Sequence, residues 1–325
     1  MNNSFYNLTP DRVMKSAEKA GFAPTGEYAQ LNSYENRVFD IRLEKGTCAP
    51  ELNDRLIAKF YRPGRWDFAT VQEEHTFLRE LRESGIPVIA PFLLEDRSTI
   101  QVCDEILVSF FPKALGRIPQ ELRFEDFRKI GRTLARIHNV GQLSEAKHRP
   151  SLGSGSMGWP ALELLEDWVA PEVWGRYKKS ASEILNWLDE GLKGIKLFRI
   201  HGDCHRGNLL LTQVRDEPEE FFLLDFDDFC RGPAVQDFWM LFSGDLETFE
   251  EEENALLSGY EELRDFNYEE LQLIPALRGL RIIHYAGWIA KRWEDPSFPR
   301  LFPSFRDYNY WAHEVEALEN IAWTL

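Results

Sequence analysis

The chain has 325 residues, 43% hydrophobic and 13% aromatic, enough apolar surface for a sizeable core and too long for one small one. That composition excludes intrinsic disorder, and a formal net charge of −16 without a basic stripe argues against nucleic acid as a partner. The four cysteines, Cys48, Cys103, Cys204 and Cys230, are scattered without a CxxC pair, so neither a disulfide framework nor a zinc site is expected. Residues 1–20 carry Asp11, Lys15, Glu18 and Lys19 and lack the apolar stretch of a signal peptide. No apolar run approaches the ~20 residues that span a bilayer. A cytoplasmic monomer without a membrane partner is expected.

The first third reads as short strands. Tyr28 to Asn32 and Arg37 to Leu43 form two, a Lys45-Gly46 turn follows, and Leu56 to Tyr61 is an apolar run broken by one lysine and ended by Pro63-Gly64. Val71, His75, Leu78 and Leu81 recur at helical spacing over Phe68 to Ser84, with Gly85 as the stop. Thr99–Cys103 and Ile106–Phe111 read as a hairpin. Strands interrupted by a single helix predict a small α+β lobe over 1–112, and the breaks at Pro112 and Gly116–Pro119 set its end.

Residues 113–325 read as a larger, mainly helical lobe. Phe127, Ile130, Leu134, Ile137 and Gly141 mark one helix, Trp168, Val173 and Tyr177 another, extended by Ile184, Trp187, Leu188 and Leu192, and Leu277 to Trp293 a third. The β segment Lys196–Leu224 interrupts them. An apolar strand, Leu197 to Ile200, enters the loop His201-Gly202-Asp203-Cys204-His205-Arg206-Gly207-Asn208. Leu209-Leu210-Leu211 leaves it, a turn around Asp216–Pro218 returns the chain through Phe221 to Leu224, and Asp225-Phe226-Asp227-Asp228 follows. If the two runs pair as an antiparallel hairpin, Asn208 and Asp225 share its open end, beside Asp203.

That pattern suits phosphoryl transfer. Magnesium takes hard oxygen ligands, so one carboxylate (Asp225) and one amide oxygen (Asn208) suffice when ATP phosphates supply the rest. The attacking hydroxyl needs an acceptor, and Asp203 fits; because the transition state is loose, positioning counts for more than base strength. A lone Asp in a loop is usually a turn former, but HGDxHxGN, a hairpin and DxDD together favour catalysis. His201 and His205 read as loop-fixing residues in preference to metal ligands with Asp203. Cys204 reads as a small packing residue in preference to an oxidant sensor.

At these residues the chain resembles the aminoglycoside phosphotransferase and choline kinase group of protein-kinase-like enzymes, and more closely the bacterial stress response kinase A family of Ser/Thr protein kinases. The resemblance covers nearly the whole chain and is carried by Leu31 to Val38, Ala58 to Pro63, His201 to Asn208, Gly232 to Asp237 and Arg292 to Pro296. It implies a two-lobed α+β kinase fold, with Asp203 as proton acceptor and Asn208 and Asp225 on magnesium. It places Ser33 at ATP, Lys59 on the α- and β-phosphates, Glu74 (or Glu73) as the helix partner of Lys59, and Val108–Pro112 at the adenine edge. Asp237 would brace the catalytic loop. Strand periodicity adds that Ile57 shares the face of Lys59, and a buried lysine needs a charged partner. Asn32 to Arg37 departs from the glycine-rich loop of many kinases by having no glycine. The short interval from Asp225 to Asp237 leaves little room for a regulatory activation loop, so no dependence on activation-loop phosphorylation is expected.

The expected activity is therefore transfer of the ATP γ-phosphate to a protein Ser or Thr in a stress response. A small-molecule kinase acting on an amino alcohol, sugar or aminoglycoside is the alternative; ten tryptophans could build a pocket for a cationic substrate. Trp159, Trp168, Trp288 and Trp293 have helix packing as their commoner use, and Glu250–Glu253 reads as a solvated helix face. A metallophosphatase would need later GDxxD and GNH motifs that the chain lacks. A nucleotide-binding pseudokinase is disfavoured by the presence of Lys59, Asp203, Asn208 and Asp225 together.

Overall fold

The computed structural model describes residues 5–6, 8–46, 54–212, 219–242 and 246–325; the expected turn at Asp216–Pro218, and Cys48, lie outside them. The chain divides into two compact units, one of Met1–Arg149, Asp203–Phe229 and Ser243–Arg264, the other of Pro150–Gly202, Cys230–Phe242 and Asp265–Leu325. The fold is α+β, with a five-stranded sheet in the N-terminal part and a mainly helical C-terminal part.

In the first unit, β1 (Pro24–Leu31), β2 (Arg37–Leu43), β3 (Arg55–Phe60), β4 (Gln101–Cys103) and β5 (Ile106–Pro112) form an antiparallel sheet in the order β1-β2-β3-β5-β4. Alternation sends Phe39 and Ile41 of β2 and Leu56, Ala58 and Phe60 of β3 into one core. Opposed residues of an antiparallel pair share a face, so the register Val38↔Lys59↔Ser109 puts these three, with Ile57, on the other face. Asp104 and Glu105, both at positive φ (48° and 67°), make the tight β4–β5 turn.

The single helix expected in this region has a companion. Helix α1 (Pro10–Lys19) opens on Thr9, whose hydroxyl accepts the Arg12 N–H, and buries Val13 and Ala17 in the sheet core. Its signal was present as Thr9-Pro10-Asp11, a cap, a first-turn proline and an acid. Helix α2 (Phe68–Glu83) is capped by Asp67, which accepts the Thr70 N–H at 2.8 Å. Its His75 is buried between the hydroxyls of Tyr61 (2.9 Å) and Thr99 (2.7 Å). Burial, then the nearby Lys59 and Arg149 cations, push the imidazole down to about 3, so it is a neutral packing group.

Helices α3 (Phe124–Gly141) and α6 (Leu246–Glu261) also belong to this unit and touch backbone to backbone at two glycines. A Cβ on Gly131 would lie 2.1 Å from the Leu256 carbonyl oxygen, and one on Gly259 equally close to that of Arg128. Strands β7 (Leu209–Thr212) and β8 (Glu220–Leu223) complete the unit as an antiparallel hairpin.

The second unit holds α4 (Trp159–Leu165), α5 (Pro171–Gly191), α7 (Ile274–Lys291), α8 (Phe298–Leu301), α9 (Tyr308–Thr324), and the short pair β6 (Phe198–Ile200) and β9 (Cys230–Gly232). The predicted pieces around Val173 and Ile184 are one continuous helix, α5, and Trp168 lies ahead of it. Trp168 packs on Trp293 at 5.6 Å, with Arg306 over both rings, and Trp288 packs on Phe298 at 4.9 Å. Trp288 therefore packs α7 on α8, while Trp168 and Trp293 pack on each other just outside the ends of α5 and α7. Where α9 meets α5, the Tyr177 hydroxyl and Trp311 Nε1 are buried without a hydrogen-bond partner among the described residues. Burial in the same unit pushes the Glu314 carboxyl up to about 7.

Gly131→Ala and Gly259→Ala should each lower stability by about 3 kcal/mol, because the clash is with backbone that cannot rotate away. Gly175→Ala, exposed in α5 with nothing within 4 Å of its Cβ, should instead stabilise by about 0.5–1 kcal/mol. Denaturant titration of the three variants checks both signs. Glu314 adds a pH dependence. Its folded pKa of about 7 exceeds the ordinary 4.5, so the folded state binds the extra proton and stability falls as pH rises between the two values. Glu314→Gln should gain about 2 kcal/mol over wild type at pH 8 and nothing below about pH 4.5; thermal midpoints across that range would read it.

Candidate active site

The hairpin fixes two of the expected ligands. Leu209 pairs with Leu223, and the Leu224 N–H donates to the Asn208 carbonyl at 2.8 Å, so Asn208 and Asp225 lie side by side at its open end. The Asn208 Nδ2 donates to the Asp203 carbonyl at 2.9 Å, which commits the amide nitrogen and leaves Oδ1 for a cation. Asp225 sits in the left-handed region (φ 58°, ψ 69°), tolerated by Asp more readily than by most side chains. Phe226 and Phe229 hold this turn against Phe77 of α2, with ring centroids 5.9 and 5.3 Å away.

Lys59 is the charge centre. Its Nζ lies 3.2 Å from Asp225, 3.2 Å from Asp227 and 3.5 Å from Glu74. Burial opposes the ammonium, but Asp227, Glu74 and Asp225 outweigh it and hold the pKa well above the ordinary value. Glu74, and not Glu73, is therefore the helix partner; Glu73 accepts instead from the backbone N–H of Lys147 (2.7 Å) and His148 (2.9 Å). Burial pushes Glu74 up to about 7 against the pull of Lys59 and Arg149.

Two arginines complete the cluster, and neither was singled out from sequence. Arg65 pairs through its two Nη atoms with Asp227 and Asp228. Arg149, whose side chain is fully buried, donates to the Asp227 carbonyl (2.5 Å), the Thr70 carbonyl (3.2 Å) and Glu74 (3.2 Å). Burial disfavours the charge on Asp227, yet Arg65, Lys59 and Arg149 hold its carboxyl below the usual range. Asp227 stood in view in the DxDD run; Arg65 had only its place in Arg62-Pro63-Gly64-Arg65 as a signal, and Arg149 had none.

In the loop that carries Asp203, His205 Nδ1 accepts the Gly207 N–H at 3.0 Å. A neutral ring must then carry its proton on Nε2, which lies 3.5 Å from Asp203 Oδ2. His205 thus fixes the loop, as expected. Within the second unit, Asp237 accepts the N–H groups of His201 (2.7 Å) and Gly202 (2.8 Å), and Gly202 supplies the positive φ of 84° that this turn requires. Cys204 is buried. The Glu250–Glu253 run departs from a uniformly solvated face: Glu252 is buried and pairs with Arg206 of the loop at 3.3 Å. Ser33 Oγ accepts the Asn36 N–H at 3.3 Å, leaving its hydroxyl proton to give. Ser109, opposite Lys59 in register, has a buried hydroxyl on the same sheet face without a hydrogen-bond partner among the described residues, a feature its place in an apolar run concealed.

A lysine, helix glutamate, loop aspartate and hairpin Asn/Asp pair on this fold define a kinase-like phosphotransferase. The chain belongs to the phosphotransferase enzyme family, whose model matches residues 27–274, and within it to the stress response kinase A relatives. It is 32% identical, over 97% of its length and 94% of the relative's, to Stress response kinase A of Escherichia coli (strain K12). It is 31% identical, over 96% and 92%, to the serine/threonine protein kinase RdoA of Salmonella typhimurium (strain LT2). Among solved structures, an amicoumacin kinase in complex with AMP-PNP and Ca2+ matches with a TM-score of 0.72 at 19% identity, covering 94% of this chain and 95% of that one, a likeness of fold. The chain is a kinase that transfers phosphate to a hydroxyl acceptor.

Lys59→Met should cost about 3 kcal/mol of stability in the nucleotide-free protein, because it leaves buried carboxylates short of one cation. A chemical-denaturation midpoint equal to wild type would contradict this account of the cluster.

Proposed function

We propose that the chain is an ATP- and magnesium-dependent Ser/Thr protein kinase of a bacterial stress response. The observation that carries the reading is the convergence of Asn208 and Asp225 at one hairpin end, with Lys59 3.2 Å from Asp225. The donor set fits magnesium: a carboxylate and an amide oxygen whose nitrogen is already committed. Asn208 and Asp225 would hold the ion, which supplies charge neutralisation on the phosphates when bound. Lys59, oriented by Glu74, would meet the α- and β-phosphates, and Ser33 would donate its hydroxyl to a phosphate oxygen. Val38 and Ile57, half-buried on the Lys59 face, offer apolar cover for adenine. Asp203 would accept the proton of the attacking hydroxyl, with the Nε2–H of His205 beside it. The named function of the Salmonella relative supports the protein acceptor.

The small-molecule alternative draws on the fold neighbour, an amicoumacin kinase. Transfer from γ-labelled ATP with magnesium separates the two. Wild type should label protein Ser or Thr, and Asp203→Ala should lower the rate by about 10²–10⁴-fold. Asp203-dependent ATP consumption only when small alcohols or amines are supplied, with no labelled protein, would assign the small-molecule reading.

A further inference from the structure

The nucleotide loop Asn32–Arg37 has no glycine, yet its backbone is held in a tight turn by side chains. Arg62, just beyond β3, donates from Nε to the Glu35 carbonyl (3.0 Å) and from Nη2 to the Tyr34 carbonyl (3.1 Å), and its Nε lies 3.0 Å from the Glu35 carboxylate. Asn36 is 3% exposed. Its Oδ1 accepts the Arg62 N–H at 3.1 Å, and its Nδ2 donates to Asp227 Oδ2 at 3.1 Å. One buried amide thus ties the loop to a residue two positions after Asp225. The two oxygens of Asp227 differ: Oδ2 receives Asn36 and Arg65, whereas Oδ1 faces Lys59 at 3.2 Å as an ion pair and has no hydrogen bond among the described residues.

We infer that Asn36 and Asp227 are a positioning pair that holds the glycine-free nucleotide loop in place over the turn bearing Asp225, with Asp227 as the fixed anchor. The inference rests on the proposal that magnesium and ATP bind at this site. Its physical reason is entropic. A glycine-rich loop approaches phosphate closely but is ordered on binding, whereas a loop already held by Arg62 and Asn36 has less freedom to lose. The pair therefore acts on nucleotide affinity more than on the transfer step.

The test uses the full chain as wild type, Asn36→Asp and Asn36→Ala. A fluorescent ATP analogue is titrated with magnesium, KM and kcat are measured, and the thermal midpoint of the nucleotide-free protein is recorded. Asn36→Asp keeps the acceptor for the Arg62 N–H but sets a like charge against Asp227. Its Kd and KM for nucleotide should rise about tenfold or more, with kcat at saturating ATP within about threefold of wild type. Asn36→Ala removes both hydrogen bonds of the amide without adding a charge and should raise Kd and KM in the same direction by a smaller factor, about threefold or more. Unchanged Kd in either variant, or loss of kcat at constant KM, would overturn the inference. So would a drop in thermal midpoint without a change in affinity. Wild type that binds no nucleotide would overturn the reading of the site itself, whereas equal binding by wild type and Asn36→Asp overturns only the pairing.

Discussion

A single buried ammonium organises the first unit. Lys59 is the last residue but one of β3, 8% exposed, on the face opposite the Phe39–Phe60 core. Burying such a charge is tolerable only beside opposite charge, so α2 must present Glu74 and the turn after β8 must present Asp225 and Asp227. Those three carboxylates exceed what one cation can balance. Arg65 and Arg149 follow as a consequence, the first meeting Asp227 and Asp228, the second joining Glu74 to the Asp227 backbone. Sheet, helix and the turn bearing Asp225 and Asp227 are thereby fixed relative to one another by charge balance as much as by apolar packing.

The left-handed conformation of Asp225 belongs to the same constraint. Positive φ costs free energy for a residue with a Cβ. Here it is imposed from both sides: the Leu224 N–H is bound to Asn208, and Phe226 and Phe229 are buried against Phe77. The turn consequently keeps its shape whether or not a ligand is present, which is the requirement for a site whose chemistry depends on positioning.

Much of this was legible in the sequence because its signals are local. β2, β3, α2 and the β7–β8 hairpin each carry a period and a punctuating Gly, Pro or Asp, and Asp203, Asn208 and Asp225 fall within one short stretch. What escaped is non-local. Asn36 and Asp227 are 191 residues apart, Arg65 and Asp227 162, and Arg149 and Glu74 75; such pairings leave no trace in any window of sequence. The choice between Glu73 and Glu74 is intermediate. Helical rotation sets Glu74 with the buried Val71, Leu78 and Leu81, but only the backbone amides at 147 and 148 show what Glu73 does instead. Strand β9, three residues of Cys-Arg-Gly, is too short to carry a period at all.

The three anionic partners of Lys59 are unequal, and the inequality has a direction. The Glu74 and Asp227 side chains are 2% and 3% exposed, whereas that of Asp225 is 57% exposed. An ion pair open to water is weak, while removing one partner from a buried pair leaves an uncompensated charge. Lys59 can therefore release Asp225 at small cost and cannot release the other two. For the proposed reaction that is the useful inequality: Asp225 would be free to hold the cation and Lys59 to meet a phosphate, while Glu74 and Asp227 would keep the ammonium in place. The same exposed carboxylate that looks like the weakest contact in the cluster is then the one that makes the cluster usable.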